Sequence, residues 1–202
     1  MKEIRQMTPK PKILEPSLDL LPFYKKTLLT GWSPTTINPD AKRHEQLKHI
    51  HNDPNGFVAE LNCLEPSPES KRIPNHNYWL FHNNEFAGNL SFRWQPGTNA
   101  LPPTCLGHIG YNITPKFQGK GWASWTLKQI LPTAWEKGLT WVDITCDPSN
   151  LASQKTAKNA GAQFVEALSL GAPFHKDIFL FRLKKSKFLT VNKSFSFITF
   201  NS

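Results

Sequence analysis

Gln118-Gly119-Lys120-Gly121-Trp122-Ala123 sets two glycines and a lysine between two regular segments. His108-Ile109-Gly110-Tyr111-Asn112-Ile113 precedes it and reads as a strand, closed by Thr114-Pro115. Ser124 to Leu131 follows, with apolar residues at helical spacing. A strand, a glycine turn and a helix in that order aim unpaired backbone N–H groups and the positive end of a helix dipole at one point. The chemistry this offers is capture of a phosphate group. Two phosphate loops are excluded by their spelling. A Walker loop needs Ser or Thr after its Gly-Lys, where this chain has Gly121, and the dinucleotide fingerprint needs a glycine where it has Ser124.

The pattern that fits is Q/R-x-x-G-x-G/A, met by Gln118, Gly121 and Ala123. Downstream, Trp141 to Cys146 reads as a second strand and Asp147-Pro148-Ser149-Asn150 as the turn into another helix. Asn150-Leu151-Ala152-Ser153, then Gly161-Ala162-Gln163-Phe164, gives an N-x-x-[AS] helix that ends at glycine before an apolar strand. From about Tyr78 to Phe164 the chain resembles the GNAT superfamily of acyl-CoA-dependent N-acetyltransferases.

That resemblance implies an α/β fold, a central mixed twisted sheet flanked by helices, with acetyl-CoA as co-substrate and no metal. It implies transfer of an acetyl group to a primary amine by direct attack, the acceptor being a small molecule or a peptide. A non-catalytic acyl-CoA-binding module of the same fold is the alternative. The backbone donors of Gln118, Gly119, Lys120, Gly121, Trp122 and Ala123 would anchor the pyrophosphate, with Lys120 either touching it or facing solvent. Tyr111, Asn112 and Ile113 would pair through their backbone with the pantetheine arm, like an added strand. Asn150 would touch the arm while also capping its helix. The amine must lose a proton, and His108 has the intrinsic range for a base, although a structural histidine is an equal reading. Asp143, Asp147, His175 and Asp177 are weaker candidates. Many members carry a tyrosine seven residues after the helix Asn to protonate the leaving thiolate. Here that position is Ala157, so water or another group must serve.

The chain has 202 residues, enough for one well-buried core. We therefore expect a single acetyltransferase domain over 1–202, its core at about 76–185. The tail from 186 to 202 is read either as an edge strand or as disordered. Met1 to Gln6 is charged and lacks the apolar run of a signal peptide, and no stretch approaches the roughly 20 apolar residues of a membrane span. Cys63, Cys105 and Cys146 are odd in number and widely spaced, which points to a reducing, cytoplasmic setting. The net charge of +9 suits phosphates, yet no nucleic-acid module accompanies it and it equally describes an ordinary solvated surface. His44, His49 and His51 lack the carboxylate or cysteine that would complete a metal set, and read as a solvated helix face. The expected oligomeric state is monomer or homodimer.

The positioning elements follow from periodicity and punctuation. Residues up to about 15 suggest a loose arm or an edge strand, Leu18 to Leu29 a short helix interrupted near Pro22, and Asp40 to His51 a polar helix. Pro54 to Pro74 reads as turns. Tyr78 to His82 and Phe86 to Trp94 form a hairpin about Asn83-Asn84-Glu85. Residues 121–137 form the long helix, with Pro132 bending it near Lys128 and Gly138 ending it. Ile178 to Leu183 supplies the last strand.

Overall fold

All the ladders among the described residues are antiparallel, and they fall into two sheets. The structure is a computed structural model that describes residues 9–65, 73–172 and 175–186. The first half contains β1 (Lys12–Leu14), α1 (Leu21–Leu29), α2 (Pro39–Asn52), α3 (Pro54–Leu61), β2 (Asn75–His82) and β3 (Glu85–Arg93). The second contains β4 (Ile109–Ile113), α4 (Trp122–Glu136), β5 (Trp141–Cys146), α5 (Leu151–Ala160), β6 (Gln163–Leu170) and β7 (Lys176–Lys184). One sheet has the order β1-β2-β3-β4, the other β5-β7-β6. The expected α/β class with flanking helices holds. The strands of the sheet layer divide into two antiparallel sets, because β4 and β5 share no ladder.

Asn83 and Asn84 both adopt positive φ, 49° and 58°, which turns β2 into β3 in two residues with the twist that a hairpin needs. The hairpin separates two cores. On one face Tyr78, Leu90 and Phe92 meet Leu127, Ile130 and Ala134 of α4 and Val142, Ile144 and Phe181 of the second sheet. On the other face Trp79, Phe81 and Phe86 receive Leu21, Tyr24, Leu28, Ile50 and Phe57 from the three N-terminal helices. Tyr24 stacks on Trp79 at 4.7 Å between ring centroids, and its hydroxyl donates to Gln46 Oε1 of α2. Burial raises the Tyr24 hydroxyl far above its ordinary value, so it stays a neutral donor.

Several local expectations change. Pro22 does not interrupt α1 but lies in its first turn, where a missing N–H costs nothing. Residues 54–61, read as turns, form α3: Asp53 Oδ1 accepts from Gly56 N at 2.8 Å, Pro54 opens the helix, and Phe57 is buried. Pro132 is carried inside a continuous α4. Residues 12–14 take the edge-strand alternative, pairing with β2. The tail expectation for 187–202 lies outside the described residues.

Gly88 controls how closely β3 approaches β4. A Cβ there would lie 2.5 Å from the Asn112 carbonyl oxygen and 3.0 Å from Ile113 Cα, both backbone atoms that cannot swing away. Gly88→Ala is therefore expected to lower unfolding free energy by about 1–3 kcal/mol through overpacking. Urea melts measure this, and an unchanged midpoint would show that β4 shifts freely. Gly97→Ala, where φ is also positive (+78°) but nothing lies within 4 Å, is the control that carries backbone strain without crowding.

Candidate functional site

β4 and β5 meet at one clasp. His108 N donates to the Asp143 carbonyl at 2.8 Å, and Asp143 N donates back to His108 Nδ1 at 3.0 Å. An imidazole thus takes the place of the next backbone acceptor. Beyond it β4 pairs in a ladder with β3 alone, so the edge of Tyr111, Asn112 and Ile113 toward β5 carries no strand. An extended ligand can add itself there through backbone hydrogen bonds.

The glycine loop begins where that edge ends. The Gln118 side-chain amide donates to the Ile113 carbonyl at 2.9 Å and fastens the loop to β4. Gly119 and Gly121 adopt φ of +75° and +71°, and a Cβ on either would project into open space. Gly121 is the N-cap of α4 and no side chain caps that end. The N–H groups of Trp122, Ala123 and Ser124, ahead of the first helical bond from Trp125 N to the Gly121 carbonyl, are thus the free donors of that end, the arrangement that receives an anion. Lys120 Nζ lies over the Phe117 and Trp122 rings, at 5.0 and 5.4 Å from their centroids. The Trp122 side chain is buried against Phe117 and offers the site only its backbone.

On the far side of the opening, Asn150 Oδ1 accepts from Ser153 N at 2.9 Å and caps α5. Tyr111 reaches across, its hydroxyl 3.1 Å from the Ser153 carbonyl and 3.0 Å from Ser153 Oγ. Burial raises that hydroxyl to about 12, partly opposed by the Ser153 contact. This bridge between β4 and α5 was not legible in sequence. Asn112 Nδ2 donates to Ser33 O and ties β4 to the segment after α1. Position 157 offers no place for an acid: Ala157 is fully buried in the core.

His108 does not fit the base role. It is buried, and its Nδ1 lone pair is occupied by the Asp143 N–H. The neutral ring must carry its proton on Nε2, which makes no hydrogen bond of its own, although the nearby Asn99 backbone favours a proton there. Burial lowers its pKa from the ordinary 6.5, against a weaker pull from Asp143. Asp143 is held by Arg182 through two hydrogen bonds of 2.7 and 2.8 Å. Asp147 accepts from Ser149 N and Oγ and shapes its turn. Asp177 pairs with Ser169 at the outer end of the β6–β7 ladder, next to exposed His175.

A cleft of about 370 Å³ lies between the N-terminal helices and the first sheet, with Gln46, His49 and Phe57 above and Asn77, Ser91 and Arg93 below. His49 Nδ1 is 3.9 Å from Glu60 Oε2 at its wall. His49, expected on a solvated helix face, instead lines this cleft. Its only signal was the neighbouring Ile50, which is buried. Among the described residues, no group of three or more His, Cys, Asp or Glu could hold a metal ion, and no helix is long and apolar enough to cross a membrane.

The family described as acetyltransferase (GNAT) domain matches residues 26–163. No curated protein matches significantly. Among solved structures, the Salmonella typhimurium acetyltransferase that modifies the N-terminal serine of ribosomal protein L7/L12 is 19% identical. It has a TM-score of 0.62 over 89% of this chain and 98% of its own. Mycobacterium smegmatis RimJ, in complex with CoA-disulfide, is 16% identical with TM-score 0.62, over 85% and 80%. The microcin C7 self-immunity acetyltransferase MccE, with acetyl-CoA and AMP, is 15% identical with TM-score 0.55, over 89% and 94%.

The clasp makes a pH prediction. Because the folded pKa of His108 is depressed, the unfolded chain binds the extra proton first. The His108 contribution is complete above about pH 6.5 and declines as pH falls through that value toward the lower folded pKa. His108→Gln, which can still accept from Asp143 N–H, should flatten this part of the stability–pH curve. His108→Ala should cost about 1–3 kcal/mol at pH 8 by stranding that N–H. Chemical melts from pH 5 to 8 decide it. Parallel curves for wild type and His108→Gln would remove the titration from this ring.

Proposed function

The chain belongs to the GNAT acetyltransferase family, and from that premise we propose that it transfers an acetyl group from acetyl-CoA to a primary amine by direct attack. The observation that carries the reading is the open edge of β4 running into an uncapped, glycine-lined helix N-terminus. One edge accepts an extended amide-bearing arm and the next turn accepts a pyrophosphate, in the order that coenzyme A presents them. The fit is with the residues as they stand. Gln118, Gly119, Lys120, Gly121, Trp122 and Ala123 hold the phosphates through backbone donors, Tyr111, Asn112 and Ile113 hold the arm, and Asn150 flanks it.

Acetyl-CoA supplies an activated acyl carbon: a nitrogen–carbon bond forms, the carbon–sulfur bond breaks, and the proton lost by the amine is balanced by one gained at sulfur. The chain's part is to fix the carbonyl against a free β4 N–H, a contribution worth a few kcal/mol when such a donor is preorganised. It must also move the proton. His108 braces the strand, so the imidazole for this task is His49, which faces the cleft on the acceptor side with Glu60 beside it. With Ala157 in the core, the sulfur takes its proton from solvent. The Salmonella typhimurium relative, which modifies the N-terminal serine of ribosomal protein L7/L12, favours a protein or peptide N-terminus among the acceptors. A non-catalytic module is the reading that remains if acetyl-CoA binds and no amine is consumed.

Two outcomes are expected. Acetyl-CoA at about a thousand times its Kd should raise stability by about 4 kcal/mol, and Gly121→Glu should abolish that protection by placing a carboxylate in the anion cradle. Because position 121 has positive φ, the variant should itself lose about 1–2 kcal/mol. Protection that survives in the variant would disconnect the loop from the cofactor. With an accepted amine, His49→Gln should lower kcat/KM by about a hundred-fold, while His108→Gln keeps the wild-type rate. A comparable loss in His108→Gln, with His49→Gln unaffected, would return the base role to the clasp.

A further inference from the structure

The cleft beneath α2 and α3 contains a cation that, among the described residues, has no ion-pair partner. Arg93, at the end of β3, lines its floor, and Arg93 Nε is buried without a hydrogen-bond partner. Among the described residues no hydrogen bond or ion pair reaches its guanidinium. The other charges around the cleft are spoken for: Lys42 binds Glu45, and Glu60 stands near His49. A half-buried guanidinium whose donors lack acceptors is an expensive arrangement unless a ligand completes it. The planar fork of five donors matches the two oxygens of a carboxylate or a phosphate.

The position of the guanidinium ties it to the reaction. A Cβ on Gly110 would lie 3.0 Å from Arg93 Nη2 and 3.2 Å from Ser91 Oγ, so the absent side chain at 110 is the space over which Arg93 extends. Gly110 is the residue before Tyr111 in β4, the strand whose free edge takes the arm. Along a strand, Gly110 and Asn112 are separated by about 7 Å. The pyrophosphate cradle at 118–121 lies beyond the opposite end of β4, so Arg93 is out of place for coenzyme A's phosphates and in place for an acceptor.

Resting on the acetyltransferase reading above, we propose that Arg93 selects acceptors that carry a carboxylate or phosphate close to the reacting amine. The oxyanion sits on the guanidinium over Gly110, with Ser91 and Asn77 beside it, and the amine points along β4 toward Asn112. The same chemistry occurs in free amino acids, in phosphorylated amines and in peptides that begin with an acidic residue.

The test pairs each with its neutral isostere: amino acids against their amides, phosphoethanolamine against ethanolamine, and peptides beginning with Asp against those beginning with Asn. The wild type should prefer the charged member of at least one pair by about tenfold or more in kcat/KM, and the pair that responds identifies the source. Arg93→Gln should erase the preference mainly through KM, Arg93→Lys should restore part of it, and acetyl-CoA protection in thermal melts should stay at the wild-type level in both. Equal use of charged and neutral partners, or a preference that persists in Arg93→Gln, overturns the proposal. Should Arg93→Gln fail to fold, Gly110→Ala displaces the same guanidinium without removing charge and is read in the same way. If no amine is acetylated, the enzymatic reading fails separately. Inorganic phosphate and acetate then probe the anion site by thermal shift: protection lost in Arg93→Gln upholds it, and protection absent or unchanged overturns it.

Discussion

The architecture depends on the clasp between His108 and Asp143. Two hydrogen bonds join the sheets, and one of the acceptors is an imidazole nitrogen in place of a carbonyl. A backbone acceptor there would prolong the ladder, and β4 would be sealed against β5 along its length. The ring ends the pairing while keeping Asp143 N–H satisfied, which matters because an orphaned buried donor is costly. Everything downstream, from the free edge of β4 to the hydroxyl bridge between Tyr111 and Ser153, occupies the gap that this termination creates.

The donor half was legible in the sequence because its determinants are consecutive. Two positive-φ glycines, a helix start and a strand end fall within one short segment, and each residue type has few conformational alternatives there. The capping role of Asn150 was legible for the same reason. The acceptor half was not. Its cleft draws Gln46 and His49 from one helix, Phe57 from another and Asn77, Ser91 and Arg93 from two strands, and no local period links them. α2 disguised its direction further, since it buries only Gln46 and Ile50 and turns a polar face inward to the cleft. α3 was hidden by its own start, where Asp53-Pro54-Asn55-Gly56 spells a turn unless the cap between Asp53 and Gly56 is foreseen. For His108 the sequence leaves base and structural residue as equal readings, because it shows that a histidine is present and not which of its nitrogens is occupied.

The hairpin of β2 and β3 is the partition between these halves. One face is packed by α4 and the second sheet, the other by the aromatic cluster of Tyr24, Trp79 and Phe86. The cluster is more than filler, because Tyr24 also donates to Gln46 and so orients the helix that roofs the cleft. Edge-to-face and stacked ring pairs have directional preferences, so they fix the angle of the roof as well as its distance. Gly88 of β3 and Gly110 of β4 act at the seam between those two strands, each admitting a neighbour that a methyl group would displace.

The division of labour along the chain has an evolutionary consequence. The glycine loop and the free edge of β4 are built from residues after 107, whereas the cleft is lined by residues before 94. On the proposed reading, substitutions in the helical roof retune which amine is admitted while the acetyl donor continues to be held as before. Gene-level drift in the first ninety or so residues explores new acceptors at little risk to the shared half of the chemistry, in keeping with function residing in sites grafted onto a common fold. Such a chain is built to change its customers and keep its supplier.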